Sequence, residues 1–225
     1  MAQDEVSDVW LTEANLDAGR RGRRRARRVS EILLTTAVVV GEKGFNNTSL
    51  DEIVERLDLS KASIYHYFES KEALVLTMLT SCHEYVVGRL TEIADGDGDP
   101  VERLGGMIAA QINMTTKEIP EFTGLFLHPM SWPDPLDKAV RNFREKHDEV
   151  FRKVIDEGVS TGHFRLAKPS VNRLCMQGAL SFIPDWFHPT SSEDIDLVVG
   201  TLMAMFVMPY TAMPTPRRSR RRSPS

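Results

Sequence analysis

The segment from Ser49 to Phe68 constrains the fold of this chain more than any other, because it contains two short helical patterns with almost nothing between them. The first spans about residues 49–57 and places apolar side chains at helical spacing on one face: Leu50, Ile53, Val54 and Leu57. The second begins at Ser60, is expected to bury Ile64, and turns polar side chains outward: Lys61, Ser63, Tyr65 and Tyr67. Two such helices joined by a tight break predict a helix-turn-helix unit, which fits the major groove of DNA.

Local signals predict the ends of both helices. Ser49 and Glu52 have the spacing of a capping box, which predicts two reciprocal bonds between their side chains and the backbone. Ser60 is a favourable N-cap residue for the second helix. The break between the two helices falls at Asp58–Leu59.

Basic residues are concentrated at two places in the chain. Residues 20–28 contain seven arginines and residues 217–222 contain five, whereas residues 29–211 contain 16 basic and 27 acidic residues. Because the acidic body repels DNA and the arginines attract it, DNA binding is predicted to occur at one end and to weaken steeply with salt. We expect residues 1–25 to be a disordered arm that becomes ordered on DNA, with the first helix running from about Arg24 to Lys43.

Two stretches resemble the signature of the tetracycline-repressor (TetR) family of bacterial regulators: Thr48-Ser-Leu-Asp-Glu-Ile53 and Leu59-Ser-Lys-Ala-Ser-Ile-Tyr-His-Tyr-Phe-Glu-Ser-Lys-Glu-Ala-Leu74. The resemblance covers about residues 26–86, and Asp58 departs from it, since the family usually has Gly there. The family's Gly implies a positive φ at this position, a conformation that Asp tolerates better than most residues. It implies an all-α protein with an N-terminal three-helix helix-turn-helix domain and a C-terminal helical domain for ligand binding and dimerisation.

The resemblance also implies roles for individual side chains at DNA. Lys61, Ala62, Ser63 and Tyr65 would face base edges, and Thr48, Tyr67 and Lys71 would hold phosphates. The remaining expected contacts come from these residues: Arg24, Arg25, Arg27, Arg28, Ser49, Ser60 and His66. For Tyr65 and Tyr67, packing against the first helix is the alternative.

The chain is predicted to consist of an arm (1–25), a DNA-binding domain (26–86, with the motif at about 49–68), a helical domain (87–211) and a disordered basic tail (212–225). A helix from Lys71 to about Ala94 leads away from the docking helices, and others are expected at about 100–118, 120–128, 135–161, 170–187 and 192–210. Three helix starts carry N-cap signals: Asp99–Pro100 with Glu102, Asp134–Pro135 with Asp137, and Ser191 with Asp194.

The helical body has many methionine and aromatic side chains on faces expected to point inward, and such residues tolerate a cavity better than packed Leu and Val. The residues expected to bind a ligand are Met107, Gln111, Met114, Phe122, Phe126, Trp132, Phe143, His147, Met176, Phe182 and Trp186. An ordinary core is the alternative for each of them. Gln111, His128 and His147 could orient the polar end of a ligand, although for either histidine the role of a satisfied core residue is favoured.

The last two helices carry broad apolar faces with small residues between the large ones, from Val171 to Ala179 and from Ile195 to Phe206. Two such helices pairing with their symmetry mates would form a four-helix interface, so a homodimer is predicted. Docking needs the same assembly, because one short helix reads few base pairs alone.

A weaker resemblance concerns the effector. Short motifs at Asp99–Leu104, Glu157–Arg165 and Trp186–Pro189 are similar to TetR-type repressors of fatty-acid and sterol breakdown, which respond to acyl-CoA thioesters. An acyl-CoA, a drug-like hydrophobic effector and another metabolite therefore all stay open. Repression and activation are not distinguished by the residues.

Other classes of protein are disfavoured. A Gly-rich phosphate loop, an HExxH helix and a GxSxG elbow are all missing from the sequence, so neither an enzyme nor a cofactor is expected. No run of apolar residues is long enough to span a membrane, and the first residues are unlike a signal peptide, which predicts a cytoplasmic protein. Cys82 and Cys175 are expected to be buried and reduced, and the Asp95–Pro100 loop lacks the Gly and Glu of a calcium loop, so no metal is expected. An architectural DNA-binding protein is the alternative function.

Overall fold

The computed structural model describes residues 20–127 and 130–207, and within these ranges the protein is all-α, as predicted. The described helices are α1 (Arg20–Lys43), α2 (Leu50–Arg56), α3 (Lys61–Tyr65), α4 (Lys71–Ala94), α5 (Pro100–Asn113), α6 (Pro120–Leu127), α7 (Asp134–Ser160), α8 (Pro169–Trp186) and α9 (Ser192–Phe206). A π-helical turn, Met114–Glu118, joins α5 to α6. The C-terminal tail from residue 212 lies outside the described residues.

Side chains cap most of the helix starts that the sequence predicts. The Ser60 hydroxyl oxygen accepts a hydrogen bond from the Ser63 N–H. Asp99 forms a full capping box with Glu102, as Ser191 does with Asp194. These caps satisfy backbone donors that the first turn of a helix leaves without partners.

Two predicted helix starts are wrong in detail. The Ser49 oxygen accepts from the Glu52 N–H, but the Glu52 carboxylate does not return the bond, because it pairs with Lys43 at 2.6 Å instead. At α7, Asp134 is the first helical residue rather than the N-cap, and the cap position is held by Pro133, which has no side-chain hydrogen bond to give.

The break between α2 and α3 is tight. Asp58 has a φ of 51°, in the left-handed region that the sequence predicts for this position. The Leu59 N–H then donates to the Val54 carbonyl at 2.9 Å, which closes the end of α2. The turn thereby sets α3 against α2 in the helix-turn-helix arrangement.

Helix α4 belongs to both halves of the molecule. Its first half buries Leu74 and Met78 in a core shared with Ile32, Ile53 and Ile64 of the first three helices. Its second half packs against α5 and α7, and α6 also contacts α1. Helix α4 therefore connects the core of the docking helices to the C-terminal half.

The start of α1 corrects the prediction of a disordered arm for residues 20–25 only, since residues 1–19 lie outside the described part of the structure. The helix begins at Arg20, so arginines 20–25 occupy its first turns. Arginine is a good helix former, and the buried methyl group of Ala26 anchors this end of the helix. The arginine side chains are consequently presented at helical spacing.

Candidate DNA-binding surface and effector cavity

Helix α3 and the residue after it present an exposed face. Tyr65 is 53% exposed, and Lys61, Ala62 and His66 are exposed as well. Ile64, on the opposite side, is buried and fixes the helix to the core. The four predicted base-reading residues thus lie on or beside a face that a DNA groove could contact, with Ser63 half-buried at its edge.

Lys61 is held by an intramolecular partner. Its Nζ lies 2.7 Å from an Asp51 carboxylate oxygen, and both side chains are exposed. The hydrogen bond to Asp51 raises the pKa of Lys61, so the lysine remains charged. It must exchange Asp51 for a DNA acceptor in order to read a base.

An open groove of about 730 Å³ lies between the first turns of α1 and the end of α3. Its lining includes the predicted DNA contacts Arg24, Arg25, Arg27, Arg28, His66 and Tyr67. The Arg25 guanidinium carbon lies 5.1 Å from the centroid of the Tyr67 ring. Cationic side chains grouped beside the exposed face of α3 are suited to phosphate contacts that position the helix.

Thr48 and Lys71 differ from their predicted role as phosphate ligands. Thr48 is buried and its hydroxyl donates to the Gly44 carbonyl at 2.9 Å. The Lys71 ammonium donates to the Phe45 and Thr48 carbonyls at 3.0 and 2.9 Å and lies over the Phe45 ring. Both side chains therefore tie the turn after α1 to the start of α4. Ser49 and Ser60, also predicted to contact DNA, act as N-caps.

The C-terminal half contains a cavity of about 520 Å³. It opens to solvent and is bordered by α4, α5, the π-helical turn, α6, α7 and α8. Its lining residues are Cys82, His83, Val86, Gln111, Thr115, Ile119, Phe122, Phe143, Arg144, Glu145, His147, Asp148, Leu174, Gln177, Leu180 and Ser181. This volume and this largely apolar lining are in the range of small-molecule sites.

Four of the predicted ligand-binding residues line this cavity: Gln111, Phe122, Phe143 and His147. The His147 Nε2 is 2.9 Å from the Gln111 Oε1. Since an amide oxygen only accepts, His147 must donate this bond. Burial lowers the pKa of His147 to about 4, so its ring is neutral at neutral pH. Gln111 and His147 are therefore partners rather than the isolated polar groups that the sequence predicts.

The other predicted ligand-binding residues do not line it. Met107, Met114 and Met176 are buried in the core, and Trp132 packs 6.2 Å from Phe45, measured between ring centroids. Phe182 and Trp186 are more than half exposed, although an inward orientation is predicted for both. The Phe126 side chain and His128 lie outside the described part of the structure.

The sequence prediction missed most of the polar lining. His83 belongs to α4, which the sequence treats as a connector, and Gln177 belongs to a helix assigned to dimerisation. Asp148 lines the cavity and forms an ion pair with Arg173. Helical spacing was the available signal, since Cys82, His83 and Val86 recur on one face of α4.

Family comparison gives two matches within the chain. Residues 32–78 match the family described as bacterial regulatory proteins, tetR family, and residues 97–208 match the tetracyclin repressor-like C-terminal domain. The chain belongs to the TetR family. TetR proteins are transcriptional regulators rather than enzymes, and they bind operator DNA and small-molecule effectors.

Relatives of this TetR-family chain include repressors. The HTH-type transcriptional repressor KstR2 of Mycolicibacterium smegmatis is 25% identical over 141 residues, which are 62% of this chain and 69% of that protein. KstR2 of Rhodococcus jostii is 22% identical over 198 residues, covering 84% of this chain and 91% of its own.

Solved structures show the same fold. The ketosteroid transcriptional regulator KstR2 of Mycobacterium tuberculosis superposes with a TM-score of 0.66 at 19% identity, over 80% of this chain and 92% of that one. AibR in complex with isovaleryl coenzyme A and operator DNA gives a TM-score of 0.67 at 22% identity, over 80% and 98% of the two chains.

An exposed apolar surface runs along α8 and α9 of this TetR-family protein. Its members are Val171, Leu174, Phe182, Trp186, Leu197 and Met205, and each is more than half exposed. Cys175 is exposed on α8 beside them, whereas the sequence predicts it to be buried like Cys82. Phe182 and Trp186 thus lie on the exposed side of α8, beyond the predicted dimer face at Val171–Ala179, and not in the cavity. Ile195, Leu202 and Met203, which are predicted to face a dimer partner, are buried within the chain instead.

None of the helices in residues 20–127 and 130–207 is long and apolar enough to cross a membrane. In the same ranges, no three His, Cys, Asp or Glu side chains are grouped so that they could hold a metal ion.

Proposed function

We propose that this TetR-family protein is a homodimeric repressor that leaves its operator when a small apolar or acyl-CoA-type effector enters the 520 Å³ cavity. The observation that carries the proposal is the position of α4. One end of this helix supplies Leu74 to the core of the DNA-binding domain, and the other supplies Cys82, His83 and Val86 to the cavity wall.

On the DNA side, α3 enters the major groove, and the arginines of the α1 groove hold phosphates on one side of it. Lys61, Ala62, Ser63 and Tyr65 face the base edges. Lys61 leaves Asp51 as it does so, and the released carboxylate is repelled by phosphate unless it is turned away. Only DNA that offers Lys61 an acceptor in place of Asp51 compensates for this cost, so binding discriminates between operator and random DNA more than the arginine run alone would.

Dimerisation uses the exposed apolar surface of α8 and α9. Phe182 and Leu197 are 63% and 73% exposed, and a two-fold axis beside these helices would bury both against their symmetry mates. Leu174 lies on this surface and also lines the cavity, so the partner subunit borders the effector site. The dimer also supplies the second recognition helix that a two-fold operator requires.

Release follows from geometry. Half-sites of an operator are separated by about one helical turn, roughly 34 Å, so a shift of several ångströms in α4 misaligns one recognition helix. Moving the protein almost fully from the DNA-competent to the splayed form requires the effector to favour the latter by about 5.5 kcal/mol. Operator DNA must weaken effector binding by the same factor.

The apolar character of the cavity supports a hydrophobic effector, and Phe122, Phe143 and Leu180 belong to its apolar wall. The AibR complex with isovaleryl coenzyme A, a fold neighbour, supports a thioester within this class. A drug-like hydrophobic molecule satisfies the same apolar wall.

The test uses the full chain and DNA from the intergenic regions that flank its gene, with fluorescence anisotropy at several salt concentrations. A repressor of this kind binds one segment far more tightly than random DNA, and isovaleryl coenzyme A or a longer acyl-CoA lowers that affinity, while coenzyme A alone does not. Equal affinity for all DNA would support an architectural protein instead. Specific binding with no response of affinity or Tm to acyl-CoAs would reject the thioester class.

A further inference from the structure

His83 offers a hydrogen-bond acceptor in the wall of the cavity. Its ring is stacked on Phe143, with 4.4 Å between centroids, and it is hydrogen-bonded to the Phe143 backbone. Its Nε2 is buried and has no hydrogen-bond partner among the described residues, so the bond to the Phe143 carbonyl comes from Nδ1. A carbonyl only accepts, so Nδ1 carries the proton.

The state of the ring decides what Nε2 can do. Burial lowers the pKa of His83, and the charge of Lys146 lowers it further, while the bond to Phe143 acts in the opposite direction. The ring is therefore neutral at neutral pH, and with its proton on Nδ1 the Nε2 presents a lone pair.

Gln177 offers the complementary group. It lines the same cavity from α8, and its side-chain Nε2 is buried without a hydrogen-bond partner among the described residues. An amide NH₂ only donates. A buried acceptor and a buried donor are thus both available in a cavity whose other polar pair, Gln111 and His147, is already bonded to each other.

We propose that His83 and Gln177 form a polar subsite for a hydroxyl group, and that the effector is an apolar molecule bearing such a group. This inference rests on the proposed function of the cavity as an effector site. A hydroxyl is the simplest group that both donates and accepts, so it can donate to the His83 lone pair or accept from the Gln177 amide, and one placed between the two side chains does both.

Other polar groups fit this pair less well. A ketone or a thioester carbonyl can accept from Gln177 but leaves His83 Nε2 without a donor. A carboxylate is repelled by the His83 lone pair, and an ammonium group cannot accept from Gln177. A trapped water molecule would satisfy both atoms, and in that case a hydroxyl on the ligand would bring no advantage.

The test measures the dissociation constants of three probes on one rigid apolar skeleton: 2-naphthol, 2-methylnaphthalene and 2-naphthoate. Binding to the full chain is followed by calorimetry, without DNA. We expect 2-naphthol to bind at least about tenfold more tightly than 2-methylnaphthalene, and 2-naphthoate to bind more weakly than 2-naphthol.

Variants assign the preference to the two residues. His83→Phe keeps a ring that can stack on Phe143, and Gln177→Leu keeps a similar volume, so each should lose most of the preference for 2-naphthol. Ser181→Ala is the matched control, because its hydroxyl lines the same cavity but already donates to the Gln177 backbone carbonyl at 2.8 Å. It should retain the preference, and thermal unfolding checks that all three variants are folded.

The subsite is overturned if 2-methylnaphthalene binds as tightly as 2-naphthol, if the preference survives both substitutions, or if none of the probes binds. These outcomes leave operator recognition untouched, since that is measured separately on DNA. Conversely, a hydroxyl preference in a protein without sequence-specific DNA binding would keep the subsite and reject the repressor.

Discussion

Lys71 allows a direct choice between a structural role and a phosphate contact. Its family position implies that it holds DNA, yet its ammonium donates to the Phe45 and Thr48 carbonyls at 3.0 and 2.9 Å and lies 4.1 Å from the Phe45 ring centroid. The residue is half-buried, so water screens these contacts only in part. We therefore expect Lys71→Ala to destabilise the fold rather than to change the electrostatics of DNA binding.

The magnitude follows from the contacts that are lost. Hydrogen bonds to a charged group contribute about 1.5–3 kcal/mol each when well buried, and a partly exposed cation–π contact about 0.5–1 kcal/mol. Allowing for partial exposure and for water replacing the ammonium at both carbonyls, the expected loss is about 2 kcal/mol of unfolding free energy. For a chain of this length, that loss corresponds to a fall in Tm of about 4–8 °C.

The assay combines thermal or urea unfolding with the salt dependence of operator binding. Lys71→Ala should lower Tm and leave the slope of log affinity against log salt unchanged at temperatures where the variant is folded. Lys61→Ala is the matched control, because this exposed lysine pairs only with exposed Asp51, and the substitution should leave Tm nearly unchanged. An unchanged Tm together with a slope reduced by about one unit would show that Lys71 binds a phosphate.

Four further outcomes are expected. Lys61→Ala should lower the affinity for operator DNA about tenfold or more and the affinity for random DNA much less, and equal effects on the two DNAs would show that Lys61 does not read bases. Asp51→Asn should raise both affinities, because it removes the carboxylate that holds Lys61. Deleting residues 1–24 should lower operator affinity by orders of magnitude at low salt. Tm should change little, because the arginines at positions 20, 21, 23 and 24 are exposed, and a large loss of Tm would instead assign these arginines to folding. Leu197→Glu should give a monomer in light scattering and weaken operator binding, and a dimer that persists would move the interface elsewhere. The pKa of His147 is about 4 in the folded protein and near 6.5 unfolded, so unfolded chains bind more protons between these pH values, and the free energy of unfolding should fall by up to about 3 kcal/mol as pH drops from 6.5 to 4. His147→Gln should flatten this dependence of stability on pH, whereas the control His163→Gln, at an exposed position, should not. An unaltered dependence in His147→Gln would place the titration elsewhere.

Much of the DNA-binding half was predictable because its signals are local. The apolar spacing of α2, the N-cap at Ser60 and the positive φ at Asp58 all depend on residues within one or two helical turns. The same holds for the Asp99 capping box. Errors arose where a local signal had a competing partner, as when Lys43 drew the Glu52 carboxylate away from the Ser49 N–H.

The cavity was predictable as a kind of site but not residue by residue. Met107 and Gln111 of α5 and Met114 of the π-helical turn follow one another at helical spacing, but only Gln111 lines the cavity, because the neighbouring helices fill the space around the two methionines. His83 and Gln177 carry no local mark of a binding residue. They become neighbours of the same space only when α4 and α8 pack around it.

The amino-acid sequence by itself determined that this chain is all-α, where its docking helices begin and turn, and to which family it belongs, since these depend on spacing and capping along the chain. Tertiary structure alone decided which polar atoms remain without protein partners, and that Phe182 and Trp186 face outward while His83 faces a cavity. The physical reason is that an amphipathic helix specifies which of its faces is apolar. It does not specify whether that face meets a close-packed core, a cavity or a second subunit, because these differ only in what other helices bring to it.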